Sequence, residues 1–414
     1  MKQGITETVL IYAQAEPPKE VRDVMRLSVL DWAACGLAGA REGGFGSWVA
    51  TMNTPGPATR FDGRVSCVAD AALVNATLSH ALDFDDTHFD HIGHPSVVVV
   101  SAAFAVAEAC KASMTDMIAA ALVGAEASIA VGLWLGREHY QVGFHQTATA
   151  GAFGATVAAG RLMGLSAGEM RHALGLCATM ASGLKAQFGT MGKPLNAGLA
   201  ARTGVEAATW AAAGMTAAQD GLAGPLGFGA THHGAAESTD MAWRMDRISH
   251  KFHACCHGLH ASLEAVRGVP IRQACEIEIR THPRWMNVCN QPAPETGLAA
   301  KFSYAHVMAM AAYDIQTGDI AAFTDETTQD PRLVEYRQRV RVEPDETLTE
   351  MQARVLVDGV AYFHDLDAPL PYASRADRVS AKARALVDAR ADGLWQAIMS
   401  DDLAGFAALL AGRA

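Results

Sequence analysis

From Ile5 to about Gly214 the apolar residues recur at three- and four-residue spacing, the period of helices packed on one another. Residues 5–40 predict two helices split by Pro17-Pro18, the second (Val21–Leu37) placing Val24, Leu27, Leu30 and Ala34 on one face. Between Arg41 and Arg64, Gly43, Gly44, Gly46, Pro55, Gly56, Pro57 and Gly63 predict a loop with room for one short strand. Ala69–Ala81 resumes the helical pattern. From Pro95 to about Gly214 Ala, Gly, Leu and Met dominate, and small residues let helices approach closely. Ser166 and Glu169 have capping-box spacing for a helix that runs to about Met180. The period changes after about Ile248. Ala274–Thr281 alternates polar and apolar residues, Val340-Arg-Val342 repeats this weakly, and Met351–Leu366 predicts a hairpin turning at Asp358-Gly359. Ala305–Phe323 predicts a helix between these strands, and Ser374–Leu410 returns to helix. The fold class expected is therefore mainly α: a large all-helical domain (residues 1–249), a smaller α/β (α+β) domain (residues 250–372), and C-terminal helices (residues 373–414) rejoining the first. No repeat of fixed period is present.

Composition narrows the partners. The 414 residues are 50% hydrophobic, enough for a large core, and the net charge of -11 argues against nucleic acid or an anionic membrane as partner. The most apolar segments, Val97–Cys110 and Met117–Leu135, are interrupted by Glu108 and Glu126 and read as buried helices, with no membrane span expected. The first residues lack a basic stretch followed by an apolar one, so no secretory signal is expected. Eight cysteines (Cys35, Cys67, Cys110, Cys177, Cys255, Cys256, Cys275, Cys289) include no CxxC and read as reduced, buried thiols of a cytoplasmic protein.

Against so apolar a background the stretch Leu78-Ser-His-Ala-Leu-Asp83-Phe-Asp85-Asp86-Thr87-His88-Phe-Asp90-His91-Ile-Gly-His94-Pro95 stands out. Titratable groups between two apolar helices are expensive to desolvate unless they are paired or used. Three further polar islands follow: Gly143-Phe-His145-Gln-Thr147, Gln187–Gly198 with Lys193-Pro194, and Lys251-Phe-His253-Ala-Cys-Cys-His257-Gly-Leu-His260. Lys193, on a Gly-flanked turn before a helix, suits carboxylate binding with backbone N–H groups. His145, at a helix start, suits general acid–base work. Each has a plainer alternative: an N-cap and solvated loop for Asp83, Asp85 and Asp86, a hydrogen-bonded structural histidine for His145, and a surface cation for Lys193. His88, His91 and His94 have a metal-binding rhythm, but Gly93 and Pro95 break the helix there, so no metal is expected. GxGxxG after a strand, GxxxxGK[ST] and GxSxG are absent, which argues against nucleotide and nicotinamide chemistry.

Taken together, Leu82-Asp83-Phe-Asp-Asp86-Thr87, Gly93-His94-Pro95-Ser96, Gly143-Phe-His145, Phe188-Gly-Thr-Met-Gly-Lys193-Pro194 and Lys301-Phe302-Ser303 resemble the MmgE/PrpD family. That family includes 2-methylcitrate dehydratase, cis-aconitate decarboxylase and iminodisuccinate epimerase. The resemblance spans nearly the whole chain. It implies a helical domain built from both chain ends, a smaller α/β lid domain, a homodimer, and no metal or organic cofactor. It also implies Asp83, Thr87, His94, His145 and Lys193 as active-site residues, with a histidine from the segment before the lid. His260 is favoured there because its spacing to Glu264 resembles the family's histidine followed by an acidic residue. His257 remains a rival, since His253 replaces the family's usual proline and the spacing is shifted. The substrate-binding set expected is His94, Lys193, Thr87, His257 and Lys301.

The function expected is a cofactor-independent lyase of dehydratase type, acting on a small di- or tricarboxylic acid by proton abstraction next to a carboxylate. That chemistry needs a base, an acid and cations aimed at the developing charge. An isomerase or epimerase would use the same residues, as would a decarboxylase. A carboxylate-binding protein that kept the fold is the non-enzymatic alternative, and a metal-dependent hydrolase a minor one.

Overall fold

The computed structural model describes residues 4–41, 44–234 and 240–413; Gly43, one of the expected loop glycines, lies outside them. The chain forms two compact units, Met1–His250 with Val379–Ala414, and Lys251–Arg378. The fold is mainly helical with a smaller α/β part, as the periodicity predicts.

The first unit is layered helices. Ile5–Gln14 and Lys19–Arg41 flank Pro17-Pro18, and Val68–His80, Pro95–Cys110, Met114–Gln141, Gln146–Leu162, Ala167–Met180 and Gly192–Ala212 follow. The expected capping box forms: Ser166 accepts from the Glu169 N–H and the Glu169 carboxylate from the Ser166 N–H. Ser113 and Asp116 make a second one. The expected loop after Arg41 also holds one helical turn, Gly46–Val49, and a two-stranded ribbon, β1 (Ala58–Thr59) and β2 (Val65–Ser66). Met114–Gln141 is long and apolar enough to cross a membrane by length and composition, yet 89% of its apolar window is buried in this fold. It is a core helix here, kinked where Gly136 takes a left-handed φ of 69°.

Small residues bring the central helices together. A Cβ on Gly154 would lie 2.5 Å from the Gly124 carbonyl oxygen, and one on Gly124 would lie 2.6 Å from that of Gly154. The two backbones therefore touch with no side chain between them. Val98, Val123, Ala127, Ala150 and Phe153 fill the surrounding core. The C-terminal part of the chain contributes a buried ion pair: Lys382 Nζ lies 2.6 Å from Asp31 and donates to the Phe84 carbonyl at 2.5 Å.

The second unit contains one four-stranded sheet in the order β4 (Val340–Pro344), β3 (Ile277–Thr281), β5 (Gln352–Val357), β6 (Val360–Asp365). β3 runs parallel to β4 and antiparallel to β5, in register Ile277 to Val340 and Ile277 to Val357. Asp358 and Gly359 sit at φ 47° and 84°, two successive left-handed residues that suit a tight hairpin turn. Two expectations shorten. β3 starts at Ile277 because Ile271–Gln273 forms a 3-10 turn, and the Ala305–Phe323 helix is only Tyr304–Ala312. It stops where Asp314 enters the left-handed region at φ 57° and Ile315 N–H reaches back to Met310. The C-terminal helical stretch is three helices, Tyr372–Val387, Arg390–Met399 and Leu403–Leu410, interrupted at left-handed Asp388 and Asp401. Of the cysteines, Cys35, Cys177, Cys255 and Cys289 are buried and Cys67 and Cys256 partly so, but Cys110 and Cys275 are exposed, which corrects the buried-thiol expectation for those two.

Adding one methyl at the closest helix contact tests the packing. Gly154→Ala must push two backbones apart, and overpacking of this kind costs about 1–3 kcal/mol. A lowered melting temperature is expected in thermal unfolding followed by circular dichroism, whereas Gly168→Ala, whose Cβ would meet open space, should leave it unchanged.

Candidate active site

Three long helices begin at residues that could do chemistry. His94 precedes Pro95–Cys110, His145 precedes Gln146–Leu162, and Lys193 lies in the first turn of Gly192–Ala212. The start of a helix leaves backbone N–H groups unpaired and carries partial positive charge. Val68–His80 ends beside them with His80 in its last turn, where the negative end of a helix favours a cation. The starts are tied to one another. His94 N–H donates to Thr147 Oγ1 at 3.0 Å, and a Cβ on Gly93 would come within 2.8 Å of the Thr147 backbone nitrogen. Only glycine permits that approach.

Asp85 sits at the centre, buried and 2.9 Å from Nδ1 of both His80 and His94. Burial alone would raise its carboxyl, but the two imidazoles hold it well below the usual carboxylate range. An ionised carboxylate only accepts, so Asp85 draws a proton onto His80 Nδ1, while His94 Nδ1 stands beside it as an ion-pair contact. The two rings meet edge to face, 4.6 Å between centroids. Asp83 takes a left-handed φ of 51°, which turns its carboxylate the other way, 46% exposed. There it meets Lys193 Nζ at 2.6 Å and His94 Nε2 at 3.4 Å. His94 thus has Asp85 on one nitrogen and the Asp83–Lys193 pair on the other, the arrangement by which a carboxylate orients a catalytic imidazole. His145 stacks 6.0 Å from His80, with Phe188 edge-on at 5.0 Å and Lys193 Nζ 5.6 Å from the same Phe188 ring. Burial, then the charges of His80 and Lys193, keep His145 neutral, its pKa well below the ordinary value.

The remaining residues of the Asp/His stretch face elsewhere. Thr87 is buried and pairs through its backbone with Ser249, which also accepts from Thr87 Oγ1 at 3.4 Å. His88 donates to the Arg244 carbonyl, while His91 lies 2.9 Å from Ser128 Oγ. Burial pushes these two down to about 4 and about 3, so both are neutral structural histidines. The His88, His91, His94 rhythm therefore does not converge on a metal. A different set, His80, Asp83, Asp85 and His94, can bring one donor atom each within 4.8 Å of one another. The Lys193 ammonium on Asp83 already places a positive charge in that set, and Asp85 holds the Nδ1 proton of His80. The geometry favours protons and an anion over a dication.

In the second unit, His257 and His260 stack with 4.5 Å between centroids, and Lys301 accepts the Cys256 N–H through its carbonyl at 2.9 Å. His260 is buried and donates through Nε2 to the Cys255 carbonyl at 3.3 Å. Burial, then His257 and His253, hold it neutral. Glu264, expected to accompany His260, instead lies 2.9 Å from His253 Nε2 and is clamped by Arg378. His253 binds Thr317 Oγ1 at 2.6 Å through Nδ1 and so locks Glu264 into a structural triad.

The MmgE/PrpD N-terminal domain matches residues 3–241 and the MmgE/PrpD C-terminal domain residues 253–391. A cis-aconitate decarboxylase of Aspergillus terreus is 28% identical over 361 residues, 76% of this chain and 73% of that protein. A second, from Aspergillus terreus (strain NIH 2624 / FGSC A1156), is 31% identical over 294 residues, 64% of this chain and 60% of its own. The cis-aconitate decarboxylase of Homo sapiens is 36% identical over 166 residues, 39% of this chain and 34% of its own, so the last two matches span less than two thirds of the relative.

His80 and Asp85 were not among the expected site residues. The signal was present, since both stand inside the polar stretch, but two carboxylates two residues apart look equivalent until φ at Asp83 sends them to opposite sides. Beneath them Asp86 is pushed up to about 7, first by burial and then by the charge of Asp31. Between its ordinary value near 4 and about 7, folded Asp86 keeps a proton that the unfolded chain has released. Its contribution to stability therefore falls as pH rises through that window, by on the order of 4 kcal/mol in all. Asp86→Asn lacks this dependence. Its melting temperature relative to the wild type should climb from about pH 5 to about pH 8, and a flat difference would mean that Asp86 is ionised throughout.

Proposed function

The chain belongs to the MmgE/PrpD family, and from that premise and the site's geometry we propose that it is a lyase acting on a small di- or tricarboxylic acid beside a carboxylate. One observation carries the reading: three helix N-termini and the Lys193 ammonium gather around an Asp85-held imidazole. Helix starts and an ammonium attract a substrate carboxylate, and Lys193 can exchange exposed Asp83 for it at little cost. Charge that develops beside the carboxylate in the transition state is then met by positive groups already in place. His94, oriented by Asp85, is the group that takes or returns the proton at carbon. Neutral His145 donates to the oxygen where charge accumulates.

In dehydration, His94 takes the proton from the carbon next to the carboxylate, the electron pair forms the alkene, and the hydroxyl, hydrogen-bonded by His145, leaves as water with the proton that His94 received. In decarboxylation, the carbon–carbon bond breaks, CO2 leaves, and the pair left on carbon takes a proton from His94. The curated relatives at 28% to 36% identity are cis-aconitate decarboxylases, which favours a tricarboxylate of cis-aconitate type and loss of CO2 as the second reading. No step in either route calls on a metal or organic cofactor.

The reading is tested by incubating chelated protein in D2O with cis-aconitate, citrate, 2-methylcitrate, malate and aspartate, followed by proton NMR. Deuterium uptake, alkene formation or CO2 release is expected with at least one acid. His145→Ala and Lys193→Met should each lose it by about 100-fold or more, the usual scale for one acid–base or charge-stabilising group. Turnover that returns only when zinc or iron is added, or variants as active as the parent, would overturn it.

A further inference from the structure

The chemistry asked of His145 depends on which of its two nitrogens holds the proton, and the surrounding hydrogen bonds decide that. The His145 backbone is pinned first. Its N–H donates to the Gly183 carbonyl at 2.9 Å, and Lys185 N–H donates to the Gly143 carbonyl at 2.8 Å, so the segment before the helix pairs with the one after Met180. The ring is held from the same side. Asn196 Nδ2 lies 3.1 Å from the Leu184 carbonyl oxygen and 3.2 Å from His145 Nδ1. A backbone carbonyl can only accept, so the NH2 end of the amide must face Leu184, which removes the usual ambiguity between amide oxygen and nitrogen. The second hydrogen of that NH2 then points at His145 Nδ1, which must offer a lone pair.

We propose that Asn196 is a positioning residue that holds His145 as its Nε2–H tautomer. This rests on the reading of His145 as the neutral donor above, but the tautomer itself is a separate statement. Asn196 is nearly buried and is carried by the Gly192–Ala212 helix, the same helix that presents Lys193. One helix therefore supplies both the substrate-holding cation and the group that aims the acid. The charged and titratable neighbours of His145 are His80, Lys193, His94 and Asp83, and the hydrogen-bond partner at its Nδ1 is the Asn196 amide. Asn196 also lines a cavity of about 300 Å³ with Ser182, Gln187, Leu199 and Thr203, none of which is charged. A carboxylate at position 196 would have no cation from this cavity wall to satisfy it other than the imidazole proton. Asn196→Asp should therefore move the proton to Nδ1 or protonate both nitrogens.

Nitrogen-15 NMR of imidazole-labelled full-length protein reads this directly, with His145→Gln used to assign the signal. The wild type should show a protonated Nε2 and an unprotonated Nδ1 from about pH 6 to about pH 8. Asn196→Asp should invert that pattern or give an imidazolium, and Asn196→Ser, which keeps a donor, should restore it in part. Leu199→Ala, which opens the same cavity without touching His145, should leave it unchanged. With an acid that turns over, Asn196→Asp should lower kcat by about 10-fold or more with little change in KM and shift the pH profile, since the binding cation remains. A wild-type Nδ1–H tautomer, or an Asn196→Asp spectrum identical to the wild type, would overturn the assignment. Correct tautomers in a protein that processes none of the acids would instead count against the proposed reaction alone.

Discussion

A buried negative charge organises the helical unit. Asp85 can remain ionised away from water only because His80 and His94 both present Nδ1 at 2.9 Å, and each of those histidines is placed by a helix end. Removing either imidazole would leave a buried carboxylate with half its compensation, a far larger penalty than the net worth of the intact set. In the proposed reaction the helix starts at His94, His145 and Lys193 face the incoming anion. Their partial positive charges are fixed by backbone geometry and need no reorganisation when charge develops.

Three neighbouring carboxylates show how environment divides labour. Asp85 is inside, pinned and anionic; Asp86 is inside but crowded by Asp31, so its carboxyl rises to about 7. Asp83, turned outward by its left-handed backbone, remains partly solvated and engages Lys193. The same residue type within four positions thus serves as an orienting anion, a protonatable floor and an exchangeable counter-ion. The floor is completed from the far end of the chain, where Lys382 pairs with Asp31 and binds the Phe84 carbonyl.

The tight fit of the central helices and the precision of the site share one cause. Gly124 against Gly154, and Gly93 against Thr147, let backbones meet where any Cβ would hold them apart. Close backbone contact leaves little freedom for relative sliding, and the residues at the helix starts inherit that rigidity. A site on helix termini is then nearly as well defined as one built on strands.

Local chemistry made much of this legible in the chain itself. The period of apolar residues, Pro17-Pro18, the Ser166–Glu169 capping box and the Asp358-Gly359 turn depend on neighbours within a few positions, and the structure bears them out. The candidates His94, His145, Lys193 and Asp83 were visible because polar groups are rare in so apolar a chain, and their assembly is found. What the sequence left open depends on distant partners or on one backbone angle. His80 joins the site only because Asp85 turns inward, and Asn196 matters only because Leu184 and His145 lie on either side of its amide. Glu264 is taken by His253 and Arg378, a residue more than a hundred positions away. Helix and turn signals are local in the chain, whereas the ownership of a proton is settled by whatever the fold sets within three ångströms of it.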